Sequence, residues 1–301
     1  MRLEIRYRNE FEYDQPARES HNLLRACPVS DARQTLEGYS VEVTPHARVF
    51  WYVDHWGTRV DEFGVREAHD ALVVQADSVV VTRTPAPVTS ESSVSEYSTL
   101  IGDFVPFLAP SPHTVWDDRI REQASDAIHG IEAAQDAVAA IADLVHEVLA
   151  YEPGSTFVGV LPTTILANKK GVCQDFAHLA VAMYRSVGIP ARYVSGYLYS
   201  TNQNDAVAPD DPELDVQTHA WIEAWLPGHG WWELDPTNPQ PIGELHVKIG
   251  HGRDYDDVMP LKGVYHGASK HELDVNVRIS RNQFPAQDQI QRSGYDYMNQ
   301  Q

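Results

Sequence analysis

Cysteine is nearly absent from this chain: Cys27 and Cys173 are the only two in 301 residues. Two thiols cannot form a disulfide scaffold, and a reducing compartment suits a free reactive thiol; a Cys27–Cys173 pairing, left open by sequence alone, would silence it. Long apolar runs are missing too. None approaches the ~20 residues that span a bilayer, so no membrane role is expected. Where a secretory leader would be apolar, Met1-Arg2-Leu3-Glu4-Ile5-Arg6 alternates and carries charge. These absences point to the cytoplasm. Positive charge is the third shortage, with 23 Lys plus Arg against 43 acids and a formal net charge of −20. Nucleic-acid binding lacks its basic footprint. Short clusters such as Asp210-Asp211 and Asp256-Asp257 aside, the acids are scattered, as solubility or a saline cytoplasm would require. Internal repeats and low-complexity tracts are absent, and Gly228-His229-Gly230 is too short to cradle a phosphate.

What remains is a globular composition, 43% hydrophobic and 22% charged, long enough for one large domain or two ordinary ones. Residues 2–8 alternate, with Leu3, Ile5 and Tyr7 on one face of a strand. Strand-like runs follow at 38–43, 49–53, 58–63 and 71–82, broken by Pro45-His46, His55-Trp56-Gly57 and Gly64. Short strands without helical periodicity predict an antiparallel β-sandwich. The Pro- and Ser-rich stretch 84–98 reads as a linker. Helical stripes then run through Ile120, Ala124, Ala127 and Ile128, and through Val138, Ile141, Ala142, Val145 and Leu149. Strands are predicted at 191–199, 219–225, 231–235 and 273–279, with an acidic loop over 201–215 and irregular chain over 240–267. The resulting division is a β-sandwich over 1–83, a linker, an α+β unit over 99–284 and a polar tail over 285–301.

Between the stripes and the strands lies Gly171-Val-Cys-Gln-Asp-Phe-Ala-His-Leu179. Phe176, Leu179, Ala180 and Met183 recur at helical spacing with one buried face, which puts Cys173 at the helix start. Free backbone N–H groups and the positive end of the helix dipole favour a thiolate there. The plain alternative is a small buried hydrophobe, the commonest use of an intracellular cysteine. Two further residues weigh against it. His219 opens the run His219-Ala-Trp-Ile-Glu-Ala-Trp225, and Asp235 closes Trp231-Trp-Glu-Leu-Asp235. The turn at 227–230 is short enough for a hairpin, so the start of one strand lies beside the end of the other. Asp235 can then orient His219, and His219 can act as base toward Cys173. Against this, a strand-opening histidine is an ordinary polar residue, and Asp before Pro236 is an ordinary turn former. Cys173, His178, His219 and His229 could instead hold zinc, although no Cys-x-x-Cys spacing supports it. Trp221, Trp225, Trp231 and Trp232 serve core packing or line a groove. Arg192 and Arg253 bind a substrate carboxylate or pair with the abundant acids.

Four segments in order, Gly171–Leu179, Gly188-Ile-Pro-Ala-Arg-Tyr-Val-Ser-Gly-Tyr197, His219-Ala-Trp-Ile-Glu223 and Leu234-Asp-Pro-Thr-Asn238, resemble the bacterial transglutaminase-like proteins. Gly252-Arg-Asp-Tyr-Asp-Asp-Val-Met-Pro-Leu-Lys-Gly263 and the N-terminal β-region are similar to the same group. The resemblance implies a papain-like α+β core and a Cys173-His219-Asp235 triad for acyl transfer through a thioester. It implies no cofactor and a peptide, protein or other amide substrate. The wider superfamily includes cross-linkers, peptidases, amidases and inactive binders, and the triad does not choose among them. Hydrolysis is the favoured expectation; protein-glutamine cross-linking and a non-catalytic binding module are the alternatives. The N–H of Cys173 is the expected first oxyanion donor, with a second in Thr163–Asn168.

Overall fold

The computed structural model describes residues 1–202, 206, 208–238 and 240–281. The expected tail and part of the expected 201–215 loop lie outside these residues. In chain order the strands are β1 (Arg2–Leu24), β2 (Gln34–Thr44), β3 (Phe50–Val53), β4 (Arg59–Phe63) and β5 (His69–Thr82). The helical region holds α1 (Val105–Leu108), α2 (Asp118–Ala127), α3 (Ala134–Val148), α4 (Pro162–Asn168) and α5 (Cys173–Ser186), with the two-residue strands β6 (Ala150–Tyr151) and β7 (Lys170–Gly171) between them. Then come β8 (Ala191–Leu198), β9 (Glu213–Val216), β10 (Thr218–Leu226), β11 (Gly230–Leu234), β12 (His246–Gly252), α6 (Tyr255–Val258), β13 (Leu261–His266) and β14 (His271–Arg281).

Strand β1 organises the first layer and is 23 residues long, far beyond the 2–8 run that alternation marks. Its first half lies antiparallel between β5 and β14. After a register shift, its second half pairs with β13 and β4. One strand thus serves both leaves of the antiparallel β-sandwich, around Leu3, Ile5, Leu24, Phe63, Leu72 and Ile279. Because β9, β13 and β14 complete this sandwich, a division at 84–98 parts the chain but not the sheet.

The second sheet is four-stranded and antiparallel, in the order β11-β10-β8-β12. Ala220, Ile222, Ala224 and Leu226 of β10 share one core with α2, α3 and α5. Tyr197, Val247 and Ile249 share the other core with Leu3 and Val80. The sheet is therefore covered on both sides, and the architecture is α+β as expected. Helix α5 was expected to bury one face. Instead every residue from Asp175 to Arg185 is buried, because the sheet and helices α1 to α4 enclose it. Each large apolar side chain so buried contributes about 1.5–3 kcal/mol.

The expected irregular stretch 240–267 instead holds β12, α6 and β13. Its Gly and His content hides a strand that forms because β8 offers an open edge. Gln34 fixes it in place: its amide accepts from Lys248 N and donates to Lys248 O, both at 2.8 Å. Both cysteines are free thiols, and burial pushes Cys27 up to about 11.

Candidate active site

Helix α5 starts at Cys173, after an extended Val172. The carboxylate of Asp175 reaches back to accept from Val172 N at 2.8 Å and from Thr156 Oγ1 at 2.5 Å. That side chain explains Gly171: a Cβ there would sit 2.6 Å from Asp175 Cβ. Cys173 is half-buried and is thus accessible at the helix head.

The hairpin β10–β11 pairs Ile222 with Leu234, so β10 runs on past the end of β11 to His219. Asp235, the residue after β11, falls beside it. His219 Nε2 lies 2.7 Å from Asp235 Oδ2, and neither side chain is exposed. Opposite His219 in the register stands Gly196 of β8. A Cβ there would meet the Val247 carbonyl at 2.1 Å and the Trp221 ring at 2.4 Å.

Asp235 is held from four directions. Besides His219, its Oδ2 accepts from Asn238 Nδ2 at 2.6 Å and from His246 Nε2 at 3.2 Å, while Oδ1 accepts from Thr237 N at 2.9 Å. Burial alone would raise its pKa; the positive His219 and these donors win and hold it far below the usual carboxylate range. For His219, burial favours the neutral ring. Asp235, and then Cys173, outweigh it and push the imidazole up to about 10. The other ring nitrogen, Nδ1, is buried and makes no hydrogen bond of good geometry among the described residues, so the Cys173 sulfur is its acting neighbour. Tyr151 also lies near the sulfur: burial first, then Cys173 and Asp235, raise it to about 12. Such a set can store a proton on imidazole next to a sulfur and keep it there by a buried carboxylate.

Cys173, His219 and Asp235 are therefore gathered in one place. Among the described residues, His178 and His229 join no ligand cluster with them. His178, within α5, stacks on His113 and accepts from Tyr255 N at 3.3 Å, and burial keeps it neutral. That contact, with Arg185 Nη2 donating to Arg253 O at 2.7 Å, locks the 252–258 segment against the helix. His219, Asp235 and His246 do lie within 4.8 Å of one another. A metal there would need both Nε2 atoms bare, whereas each is turned to the same carboxylate oxygen. Trp221 is core; Trp225 and Trp231 pack half-buried against Phe104. Arg192 pairs with Glu223 and lies 4.0 Å over Trp231, and Arg253 grips Asp257 with two hydrogen bonds, so both serve internal pairing. Thr163–Asn168 forms α4, whose Thr164, Ile165 and Lys169 amides bond within or beside the helix. Gln174, next to Cys173 in the chain, has a buried Nε2 without a hydrogen-bond partner among the described residues. A depression of about 560 Å³ lies elsewhere, along Ile5, Tyr39, Ser78 and Arg278.

Sequence reasoning missed His246, hidden in a stretch that reads as loop, and quoted Asn238 only within the Leu234–Asn238 segment, with no role of its own.

A thiol at the head of a buried helix, set against a His–Asp pair on a neighbouring hairpin, defines a class of fold and site by itself. Family models agree in two places: the transglutaminase-like superfamily core matches residues 121–236, and the bacterial transglutaminase-like N-terminal region matches residues 3–81. The chain belongs to the transglutaminase-like superfamily. The uncharacterized protein ML0607 of Mycobacterium leprae is 39% identical over 93% of this chain and 99% of its own. A protein-glutamine gamma-glutamyltransferase of Pseudomonas aeruginosa is 34% identical over 31% of this chain and 14% of its own. A candidate cysteine protease from Cytophaga hutchinsonii superposes with a TM-score of 0.72 at 25% identity, over 95% of this chain and 92% of that one.

Proposed function

We propose that this protein is a cysteine-dependent acyl-transfer enzyme acting on amide bonds of peptides or proteins, with water as the favoured acceptor. One observation carries the reading: His219, bonded to the Asp235 carboxylate, stands beside the Cys173 sulfur at the start of α5. The thiolate attacks the substrate carbonyl, forming a C–S bond and an oxyanion. The Cys173 N–H at the positive helix end and the Gln174 amide are the donors we assign to that oxyanion. His219 gives its proton to the departing amine as the C–N bond breaks, leaving a thioester. It then takes a proton from water, which attacks the thioester, releases the acid and restores the thiolate. Asp235 keeps its charge throughout and steadies the imidazolium.

Water is favoured over an amine because we place the protein in the cytoplasm, where free cross-linking would be harmful. The similarity to a protein-glutamine gamma-glutamyltransferase favours the second reading, transfer to a lysine amine. Incubation with a peptide and amide library, with and without a primary amine, separates the two. Dominant amine incorporation would reverse the preference. Iodoacetamide separates both from a binding module: labelling of Cys173 should slow at least tenfold in His219→Ala if the ring holds the thiolate. Equal labelling in the variant and wild type would remove the catalytic reading.

A further inference from the structure

His246 stands at the start of β12, buried to 1% exposure, on the same carboxylate oxygen as His219. Its Nδ1 accepts from Gly243 N at 3.4 Å, so the ring proton belongs on Nε2, which faces Asp235 Oδ2. Burial favours the neutral ring, and the positive His219 and Arg33 reinforce this against Asp235. The two rings, with centroids 6.0 Å apart, thus have opposite states: His219 carries a charge and His246 only donates. Trp221 packs against both, 6.0 Å from one ring and 5.6 Å from the other.

A carboxylate is free to turn about its last bond unless both oxygens are held. Thr237 N holds Oδ1, which leaves the aim of Oδ2 to Asn238, His246 and His219 itself. Asn238 comes from the same turn as Asp235 and moves with it. His246 comes from another strand and ties the turn to the sheet. We propose that His246 is a positioning residue for the acyl-transfer reaction, its neutral Nε2–H holding Asp235 in line with His219. The proposal rests on Cys173, His219 and Asp235 forming the triad. It gives the N-terminal region a part in the site as well. Arg33 Nη1 donates to the His246 carbonyl at 2.6 Å, while Arg33 Nε bonds Glu233 of β11 at 2.7 Å. The strand bearing His246 and the strand leading to Asp235 are thus joined by one side chain from outside the sheet.

The test uses the full chain and p-nitrophenyl acetate, with His246→Phe removing the donor, His246→Gln keeping one and Asp235→Asn as the control. A misaimed carboxylate should lower kcat by about 10- to 100-fold in His246→Phe with KM nearly unchanged. Iodoacetamide labelling of Cys173 should slow in parallel, and His246→Gln should recover most of both. Wild-type kcat in His246→Phe beside a crippled Asp235→Asn would overturn the positioning role and leave the triad standing. Wild-type kcat in Asp235→Asn would overturn the triad, and the inference with it. Should His246→Phe fail to fold, ¹⁵N spectra of the wild-type imidazoles decide. A His246 ring that is neutral near pH 7 with its proton on Nε2 is expected; a ring charged there, or one carrying its proton on Nδ1, overturns the proposal.

Discussion

At the scale of the residue, the decisive quantity is the charge on His219. An ordinary imidazole is half-protonated near pH 6.5, and burial should lower that value. Asp235 reverses the outcome and carries the ring up to about 10. Because the folded value lies above the unfolded one, the pair's stabilisation is fully present below about pH 6.5 and is lost as pH rises through about 10. Asp235 works at the other end, its stabilisation present above the ordinary carboxylate range and lost on acidification. Since the proposed proton donor is the imidazolium, kcat/KM should fall on the alkaline side near pH 10. In Asp235→Asn, burial is opposed by Cys173 alone, so this limb should move to acid pH and activity at pH 7 should drop by roughly 10²- to 10⁴-fold. If Asp235 merely shapes the turn before Pro236, Asn serves nearly as well. An unmoved limb with activity within a few-fold of wild type would then take Asp235 out of the mechanism.

Among the elements, helical periodicity located α2, α3 and α5, strand-like runs bounded by turn residues located β5, β8, β10 and β11, and alternation located β14. The hairpin geometry then sufficed to put His219 beside Asp235. Strand β12 and its histidine were illegible for the same physical reason: their partners, Gln34 and Arg33, lie over 200 residues away, and no local pattern announces them. The full length of β1 escaped because its second half changes partners after a register shift. Gly196 is a further case of tertiary demand, since an inner strand would ordinarily prefer a β-branched residue. A Cβ on this residue would stand 2.1 Å from a backbone carbonyl and 2.4 Å from the Trp221 ring, and neither can retreat without moving β12 or His219's strand. Gly196→Ala should therefore destabilise the protein by roughly 3 kcal/mol or more, at the upper end for overpacking. Urea unfolding would measure it; a loss under about 0.5 kcal/mol, the range of neutral surface changes, would show that the sheet yields easily.

At the scale of the whole molecule, the sandwich and the helix-covered sheet meet through buried polar contacts as well as a shared apolar core. Arg33 is 6% exposed and joins three segments: it pairs with Glu233 on β11, and it donates to the carbonyls of Gly243 and His246. Removing it leaves one carboxylate and the His246 carbonyl without this donor in a site where water has little access, while the Gly243 carbonyl keeps the His246 N–H. Truncating one partner of a buried pair costs about 3–5 kcal/mol, and the partial exposure of Glu233 argues for the lower end. Arg33→Ala should accordingly lower Tm by roughly 6 °C or more, using about 2–4 °C per kcal/mol for a large domain. Arg33→Lys should recover only part of this, since one ammonium cannot span a carboxylate and a carbonyl in the fork geometry of guanidinium. The effect should also reach the sulfur, because the strand Arg33 anchors is the one that carries His246. Slower iodoacetamide labelling of Cys173 at temperatures well below Tm would register that reach. A surface cation with no such task would give a Tm within about 1 °C of wild type and unchanged labelling, and that pair of results would show that the two layers are held together without Arg33.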